Sequence, residues 1–199
     1  MVVVCFDLEG VLVPEFWEEF SKITRIPILM RTTRDEPDYD KLMKMRIEVL
    51  KENGLDMKKV HEIVEKMKAY EGAKEFLDWL RTKAQVAILT GSFYEYIGPL
   101  LAQIGNPFTY ANSLVIDKNN MMAGYKLREK DGKVEVINRF KESGFGTVAV
   151  GDSFNDVKML KAADTGILFR ACEVLKDQEK GLKRAENYKE LKAILEKIV

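Results

Sequence analysis

The chain has only one histidine and two cysteines in 199 residues, and no excess charge of either sign, since Lys+Arg and Asp+Glu both number 32. Each shortage closes off a class of function. A nucleophilic cysteine needs a base such as histidine, and the single His61 stands as Val60-His61-Glu62 in an amphipathic stretch, where it reads as part of a solvated face. Cys5, in an apolar run, and Cys172, in a late loop, therefore read as reduced core thiols of a cytoplasmic protein, not as catalytic groups. Zero net charge argues against nucleic acid or an anionic membrane as a partner. No apolar run approaches the length of a membrane span. The N-terminus has no basic stretch and reaches Asp7 and Glu9 at once, so no signal peptide is expected.

What is present is a pair of apolar runs that each stop at carboxylates. Val2-Val3-Val4-Cys5-Phe6 leads into Asp7-Leu8-Glu9-Gly10-Val11-Leu12, and Val148-Ala149-Val150-Gly151 leads into Asp152-Ser153-Phe154-Asn155-Asp156. A run apolar on both faces suits a central strand of a parallel sheet. Ligands of such sheets bind outside the carboxyl ends of the strands. If the two strands are neighbours, Asp7, Glu9, Asp152 and Asp156 gather at one edge. Four carboxylates repel one another unless a hard divalent cation sits among them, and oxygen ligands suit Mg²⁺. A lone strand ending in Asp is equally an N-cap for the next helix; it is the paired pattern that points to a metal-assisted enzyme.

Between these runs the chain alternates strand and helix with one long helical interruption. From about Pro14 to Ala69 only helices are expected. One is Glu15–Thr24, with Phe16, Trp17, Phe20 and Ile23 apolar, and another is Tyr39–Glu52, closed by Gly54. A third is capped by Asp56, with Val60, Ile63, Val64 and Met67 at helical spacing. Then come helix Gly72–Lys83, strand Gln85–Leu89, helix Phe93–Ile104 and a short strand Phe108–Tyr110. Leu114–Leu127 reads as a β-hairpin turning at Asp117-Lys118-Asn119-Asn120. Helix Gly132–Ser143, strand Thr147–Val150, helix Asn155–Ala163 and strand Thr165–Phe169 follow. The pattern predicts an α/β fold: a doubly wound, Rossmann-like parallel sheet (residues 1–13 and 70–199) with a small all-helical cap, residues 14–69, inserted after the first strand. A chain of this length buries roughly 70% of its unfolded surface, enough for one core domain and an insertion.

These motifs, in this order, resemble the haloacid dehalogenase superfamily of phosphatases, and within it the phosphoserine phosphatases, closest to the bifunctional group that also moves phosphate onto homoserine. Asp7 matches the family's aspartate nucleophile, and Glu9 the acid/base two residues on. Thr90 matches the phosphate-binding Ser/Thr at the end of the second core strand, and with the backbone N–H groups of Gly91 and Ser92 it would hold phosphoryl oxygens at a helix start. Lys133 matches the lysine that precedes a helix and holds phosphate, with Lys130 as its rival. Asp152 and Asp156 match the acidic motif that holds Mg²⁺, with Asn155 beside them on the phosphate. The segment Arg31–Asp40 looks like the same part of the bifunctional group, and that group also has Glu where most of the superfamily has Asp at the position of Glu9.

The resemblance implies a Mg²⁺-dependent phosphoserine phosphatase of serine biosynthesis working through an aspartyl-phosphate. Asp7, Asp152 and the main-chain carbonyl of Glu9 would hold the metal, Asp156 would orient that shell, and homoserine would be a possible second acceptor. Arg46 would take the substrate carboxylate and Glu15 its ammonium, although Glu15 is also an ordinary first-turn acid. Arg31 and Arg34 read as surface charges, and Met43 and Tyr39 as cap core. The expected partner is a small molecule, and the expected assembly a monomer or homodimer. A phosphatase of another small phosphorylated metabolite shares all the core motifs. A receiver-like signalling domain shares the acids, the Thr/Ser and the Lys, but lacks the helical insertion and Gly-Asp-x-x-Asn-Asp.

Overall fold

A computed structural model describes residues 1–32, 35–36, 38–128 and 131–199. Its centre is the strand that the first apolar run predicts, β1 (Val2–Phe6), in which Val3 to Phe6 are all buried. Arg34 and Lys130 lie outside the described residues.

The helical insertion follows β1. The helix α1 (Phe16–Thr24) begins one residue later than predicted, and Phe16, Trp17 and Phe20 are buried while Ile23 is exposed. A 3₁₀ turn, Pro27–Met30, leads on to α2 (Tyr39–Glu52), whose bounds match the expectation, with Asp38 accepting from the N–H groups of Asp40 and Lys41. The Asp56 carboxylate accepts from Lys59 N–H and starts α3 (Met57–Val64). His61 is not on a solvated face: it is half-buried and its ring hydrogen-bonds the Glu95 carbonyl across to the next part of the chain.

The sheet then completes itself through α4 (Ala73–Arg81), β2 (Gln85–Phe93), α5 (Tyr94–Gln103), β3 (Phe108–Ile116), β4 (Met122–Lys126), α6 (Gly132–Glu142), β5 (Gly146–Gly151), α7 (Val157–Ala162) and β6 (Thr165–Phe169). The predicted short strand at 108–110 and the first arm of the predicted hairpin are one strand, β3, with β4 antiparallel to it. The hairpin turn is tied by the Asp117 carboxylate, which accepts from the N–H groups of Asn119 and Met121. Its tip and its second arm touch the insertion: Met57 N–H donates to the Asn120 carbonyl, and Tyr125 Oη to Asp40. Beyond Phe169, where the sequence pattern gives out, lie α8 (Glu173–Gln178), β7 (Lys183–Ala185) and α9 (Tyr188–Leu195).

The strand order is β4-β3-β2-β1-β5-β6-β7, parallel throughout except for β4. The chain winds outward from β1 through β2 and β3 to β4, then crosses through α6 to β5 on the other side of β1 and winds outward to β7. The winding thus reverses between β1 and β5, and the crevice at their carboxyl ends is the expected ligand position. Cys5 pairs with Ala87 and Ala149, and Phe6 with Ile88 and Val150, so β1 and β5 end level with each other. Alternation sorts the core: Val4 and Phe6 face the insertion, α4, α5 and α9, while Val3 and Cys5 face α6, α7 and α8. Among the described residues no helix is long and apolar enough to cross a membrane.

The cysteines divide, against the expectation of two core thiols. Cys5 is buried, and burial pushes its thiol up to about 12, whereas Cys172 is exposed at the start of α8. Native protein should therefore release one equivalent with a thiol-titrating disulfide reagent at pH 8 and two in guanidinium. Two rapid equivalents from native protein would contradict the burial of Cys5.

Candidate active site

Where β1 ends, Asp7 N–H donates to the Val150 carbonyl at 2.9 Å, so the last rung of the β1–β5 ladder presents Asp7 beside the end of β5. Leu8 N–H caps the Asp7 carboxylate at 2.8 Å. The chain then folds tightly back, with Gly10 N–H donating to the Val13 carbonyl and Leu12 N–H to that of Leu8. Gly10 takes φ +74°, and a β-carbon there would lie 2.3 Å from Asp152 Oδ2. Glycine thus lets the backbone turn and leaves room for the Asp152 carboxylate to lie against it.

On the neighbouring strand end, Asp156 is fully buried and accepts from the N–H groups of Asp152 and Ser153 at 3.2 Å each and from Ser153 Oγ at 3.0 Å. A single 3₁₀ turn, Phe154–Asp156, is closed by this capping box. Lys133 Nζ reaches both sides, 2.8 Å from Asp7 Oδ1 and 2.7 Å from Asp156 Oδ1. It is the second residue of α6 and so lies within the helix rather than before it. Asp7, Asp152 and Asp156 each bring a carboxylate oxygen within 4.8 Å of the others, and Asp152 Oδ1 is buried without a hydrogen-bond partner.

One ammonium does not neutralise three aspartates. Burial, then the charge of Asp156, push the Asp7 carboxyl up to about 7 in spite of Lys133. Burial and the neighbouring acids push Asp152 to about 8. An orphaned, buried carboxylate oxygen beside two more carboxylates fits a hard divalent cation with oxygen ligands.

A cavity of about 620 Å³ opens over this cluster. Glu9 stands in its wall, accepting from Phe16 N–H at 3.0 Å and from Ser92 Oγ. Burial, then the charge of Glu15, hold the Glu9 carboxyl well above the usual carboxylate range. Thr90 and Ser92 are buried, with Ser92 N–H donating to Thr90 Oγ1 at 3.1 Å. Residues 90–92 are the end of β2, not a helix start, since α5 begins only at Tyr94. Gly91 and Asn155, both exposed, also line the cavity.

Arg46 of α2, only 6% exposed, also lines the cavity. Its Nη2 donates to the Arg31 carbonyl at 2.7 Å, its guanidinium lies 4.4 Å from the Trp17 ring centre, and its Nε has no partner. The Arg31 carbonyl thus seats Arg46, while the Arg31 guanidinium donates to the Asp35 carbonyl at 3.3 Å in an exposed contact, as a surface charge would. Met43 is fully buried, and half-buried Tyr39 lines the cavity. The sequence reading passes over Gly10, Ser153, Asn112 and Arg128. A glycine between the first strand's acids and the next helix is a legible sign of a close approach; the others give no local signal.

The profile of the haloacid dehalogenase-like hydrolases matches residues 1–164. A Pseudomonas aeruginosa protein named phosphoserine phosphatase ThrH is 47% identical over 173 residues, 87% of this chain and 84% of that one. A Pseudomonas syringae pv. tomato protein named phosphoserine phosphatase is 46% identical over 169 residues, 85% of this chain and 71% of that one. The fold is also that of the apo crystal structure of a phosphoserine phosphatase, with a TM-score of 0.79 at 24% identity over 100% of this chain and 99% of the other.

The acidic cluster makes a linked prediction about pH and metal. Asp7 and Asp152 bind protons more tightly folded than unfolded, so without metal they make the fold less stable as pH rises from about 4 toward 8. A cation needs those protons gone, so millimolar Mg²⁺ should raise the Tm clearly at pH 8 and little at pH 5, reversibly with EDTA. Asp152→Asn should lose most of the increment. An equal Mg²⁺ shift in wild type and Asp152→Asn, by differential scanning fluorimetry, would refute the site.

Proposed function

Because the chain belongs to the haloacid dehalogenase-like hydrolases, we propose that it is a phosphoserine phosphatase, hydrolysing phospho-L-serine to serine and phosphate, with homoserine as a second phosphoryl acceptor. The observation that carries the reading is the Asp7–Lys133–Asp156 bridge beside a cavity that a buried arginine also lines. A nucleophile, a phosphate-binding cation and a carboxylate-binding cation thereby share one pocket. Residues 1–13 and 70–199 are read as the core domain and 14–69 as the cap.

In this reading Asp7 attacks phosphorus and the bond from phosphorus to the serine oxygen breaks, leaving an aspartyl-phosphate. Glu9 gives its proton to the departing oxygen. Burial and the charge of Glu15 raise its pKa, which favours the protonated form that a general acid needs. In the second step Glu9, now a carboxylate, takes a proton from water as that water attacks phosphorus and frees Asp7. Lys133, Thr90, Gly91, Ser92 and Asn155 bind the phosphoryl oxygens, the first as a fixed charge and the others as donors. Mg²⁺, held by Asp7, Asp152 and the Glu9 carbonyl with Asp156 behind them, would supply the positive charge that lets a carboxylate approach a phosphate dianion.

Arg46 is the cation for the substrate carboxylate. It is buried and its Nε is unpaired, which is costly unless an anion arrives. Glu15, which also lines the cavity, is the group for the ammonium. The partners are small molecules, not nucleic acid or membrane, the assembly a monomer or homodimer, and the location cytoplasmic.

Phosphate release from a panel of phosphorylated metabolites should favour phosphoserine, need Mg²⁺ and stop in EDTA. Asp7→Asn should fall below about one per cent of wild-type turnover, a barrier increase of roughly 3 kcal/mol. Full activity of that variant would remove Asp7 as nucleophile, and preference for another phosphomonoester would replace the substrate.

The acceptor is tested separately. Positioning can outweigh the concentration of bulk water by orders of magnitude. Phosphoserine with saturating homoserine should therefore yield phosphohomoserine by phosphorus NMR beside free phosphate. If only phosphate appears, the transferase half of the reading is wrong.

A further inference from the structure

The segment that carries Thr90 and Ser92 does not follow the sheet. Leu89 pairs with Tyr110 and the next pair is Phe93 with Asn112, so β2 advances four residues while β3 advances two. Thr90, Gly91 and Ser92 thus stand opposite the single residue Ala111, a bulge that lifts them out of the ladder. Such a bulge has no fixed shape unless something spans it.

The side chain of half-buried Asn112 spans it. Its Nδ2 donates to the Gly91 carbonyl at 2.8 Å, and its Oδ1 accepts from Arg128 N–H at 3.0 Å. The amide serves both neighbours, donating on one side and accepting on the other, and this also fixes which way the group points, whereas a carboxylate of the same shape can only accept. Arg128 reinforces the link: its Nε donates to the Ala111 carbonyl and its guanidinium lies 5.2 Å and 5.1 Å from the ring centres of Tyr94 and Tyr110. Asn112 therefore joins the hydroxyl-bearing bulge to the stretch five residues ahead of Lys133.

We propose that Asn112 is a positioning residue, an amide clamp that holds the Thr90–Ser92 bulge in register with Asp7 and Lys133. The inference rests on the phosphatase reading for its kinetic consequence, and on the β2–β3 register and the two hydrogen bonds for the clamp itself. It distinguishes the isosteric Asn112→Asp from Asn112→Ala. A carboxylate at this position faces the Gly91 carbonyl and pushes the bulge away, whereas alanine only releases it. If Asn112 merely filled space, the isosteric variant would be the better tolerated.

Both variants should be assayed with phosphoserine and Mg²⁺, and amide hydrogen exchange should be followed across residues 90–93. The expected result is a kcat lower by about tenfold in Asn112→Ala and by more in Asn112→Asp, with KM changed less than threefold. Exchange at Ser92 and Phe93 should be faster in both variants, with far smaller changes in the β1–β5 ladder. Wild-type kcat with unchanged exchange overturns the clamp, as does an Asp variant more active than the Ala variant. If Asn112→Asp does not fold, Asn112→Ala alone decides by the same two measurements. A wild-type protein that releases no phosphate defeats the phosphatase reading instead, and the exchange data still decide whether the clamp exists.

Discussion

Three aspartates are brought together at the carboxyl ends of β1 and β5, and the ammonium of Lys133 is shared between two of them. Much else in the structure serves this arrangement. Burying a carboxylate costs several kcal/mol unless it is paired and hydrogen-bonded. Asp156 meets that cost fully, taking two backbone N–H groups, a serine hydroxyl and Lys133. Asp7 meets it in part with Leu8 N–H and Lys133, while the Asp152 oxygen Oδ1 meets it with nothing. The gradient runs from a satisfied anchor to an unsatisfied oxygen, an arrangement suited to a site that keeps its shape while attracting a cation.

The sheet topology makes that gradient possible. Because β1 lies between β2 and β5 and all three run the same way, the chain leaves their carboxyl ends on one side, and the acids on β1 and β5 meet the hydroxyls on β2. The level register of Phe6 with Ile88 and Val150 removes the need for long loops to reach the centre. The one long excursion is the helical insertion, and it is spent on Arg46. The guanidinium is seated by the Arg31 carbonyl and the Trp17 ring, so it is held by the insertion itself and not by the sheet. In the proposed reading, chemistry belongs to the sheet edge and selection to the insertion, which leaves each free to vary without disturbing the other.

Elements with strong periodicity or a cap were legible in the sequence. Tyr39–Glu52 has both an Asp38 cap and an apolar stripe, and Thr165–Phe169 is a plain apolar run; both match the structure. The elements that were missed lack such a signal. β7 is Lys-Arg-Ala, three residues with one buried, and it is held by pairing with β6 more than by its own composition. β3 was divided in two because its middle, Ala111-Asn112-Ser113, is small and polar, yet it pairs with β2 on one side and β4 on the other. His61 and Ile23 were placed by helical position, and long-range packing decided otherwise: His61 turns to the Glu95 carbonyl, and Ile23 is left beyond the packed face of α1.

The candidate site was more legible than these details because its residues sit next to strong strand signals. Asp7, Asp152 and Asp156 end or follow apolar runs, and the structure gathers them with Lys133. What the one-dimensional pattern cannot carry is a side chain that acts on backbone far away in sequence. Gly10 makes room for Asp152, and Asn112 bridges to Gly91 and Arg128. These contacts give no local periodicity, and only the register of three strands explains why an amide or a missing β-carbon is required there. The bulge in β2 turns this into a general constraint. A strand end that leaves its ladder to present hydroxyl groups gives up backbone hydrogen bonds, and a neighbouring strand must return them through a side chain able both to donate and to accept.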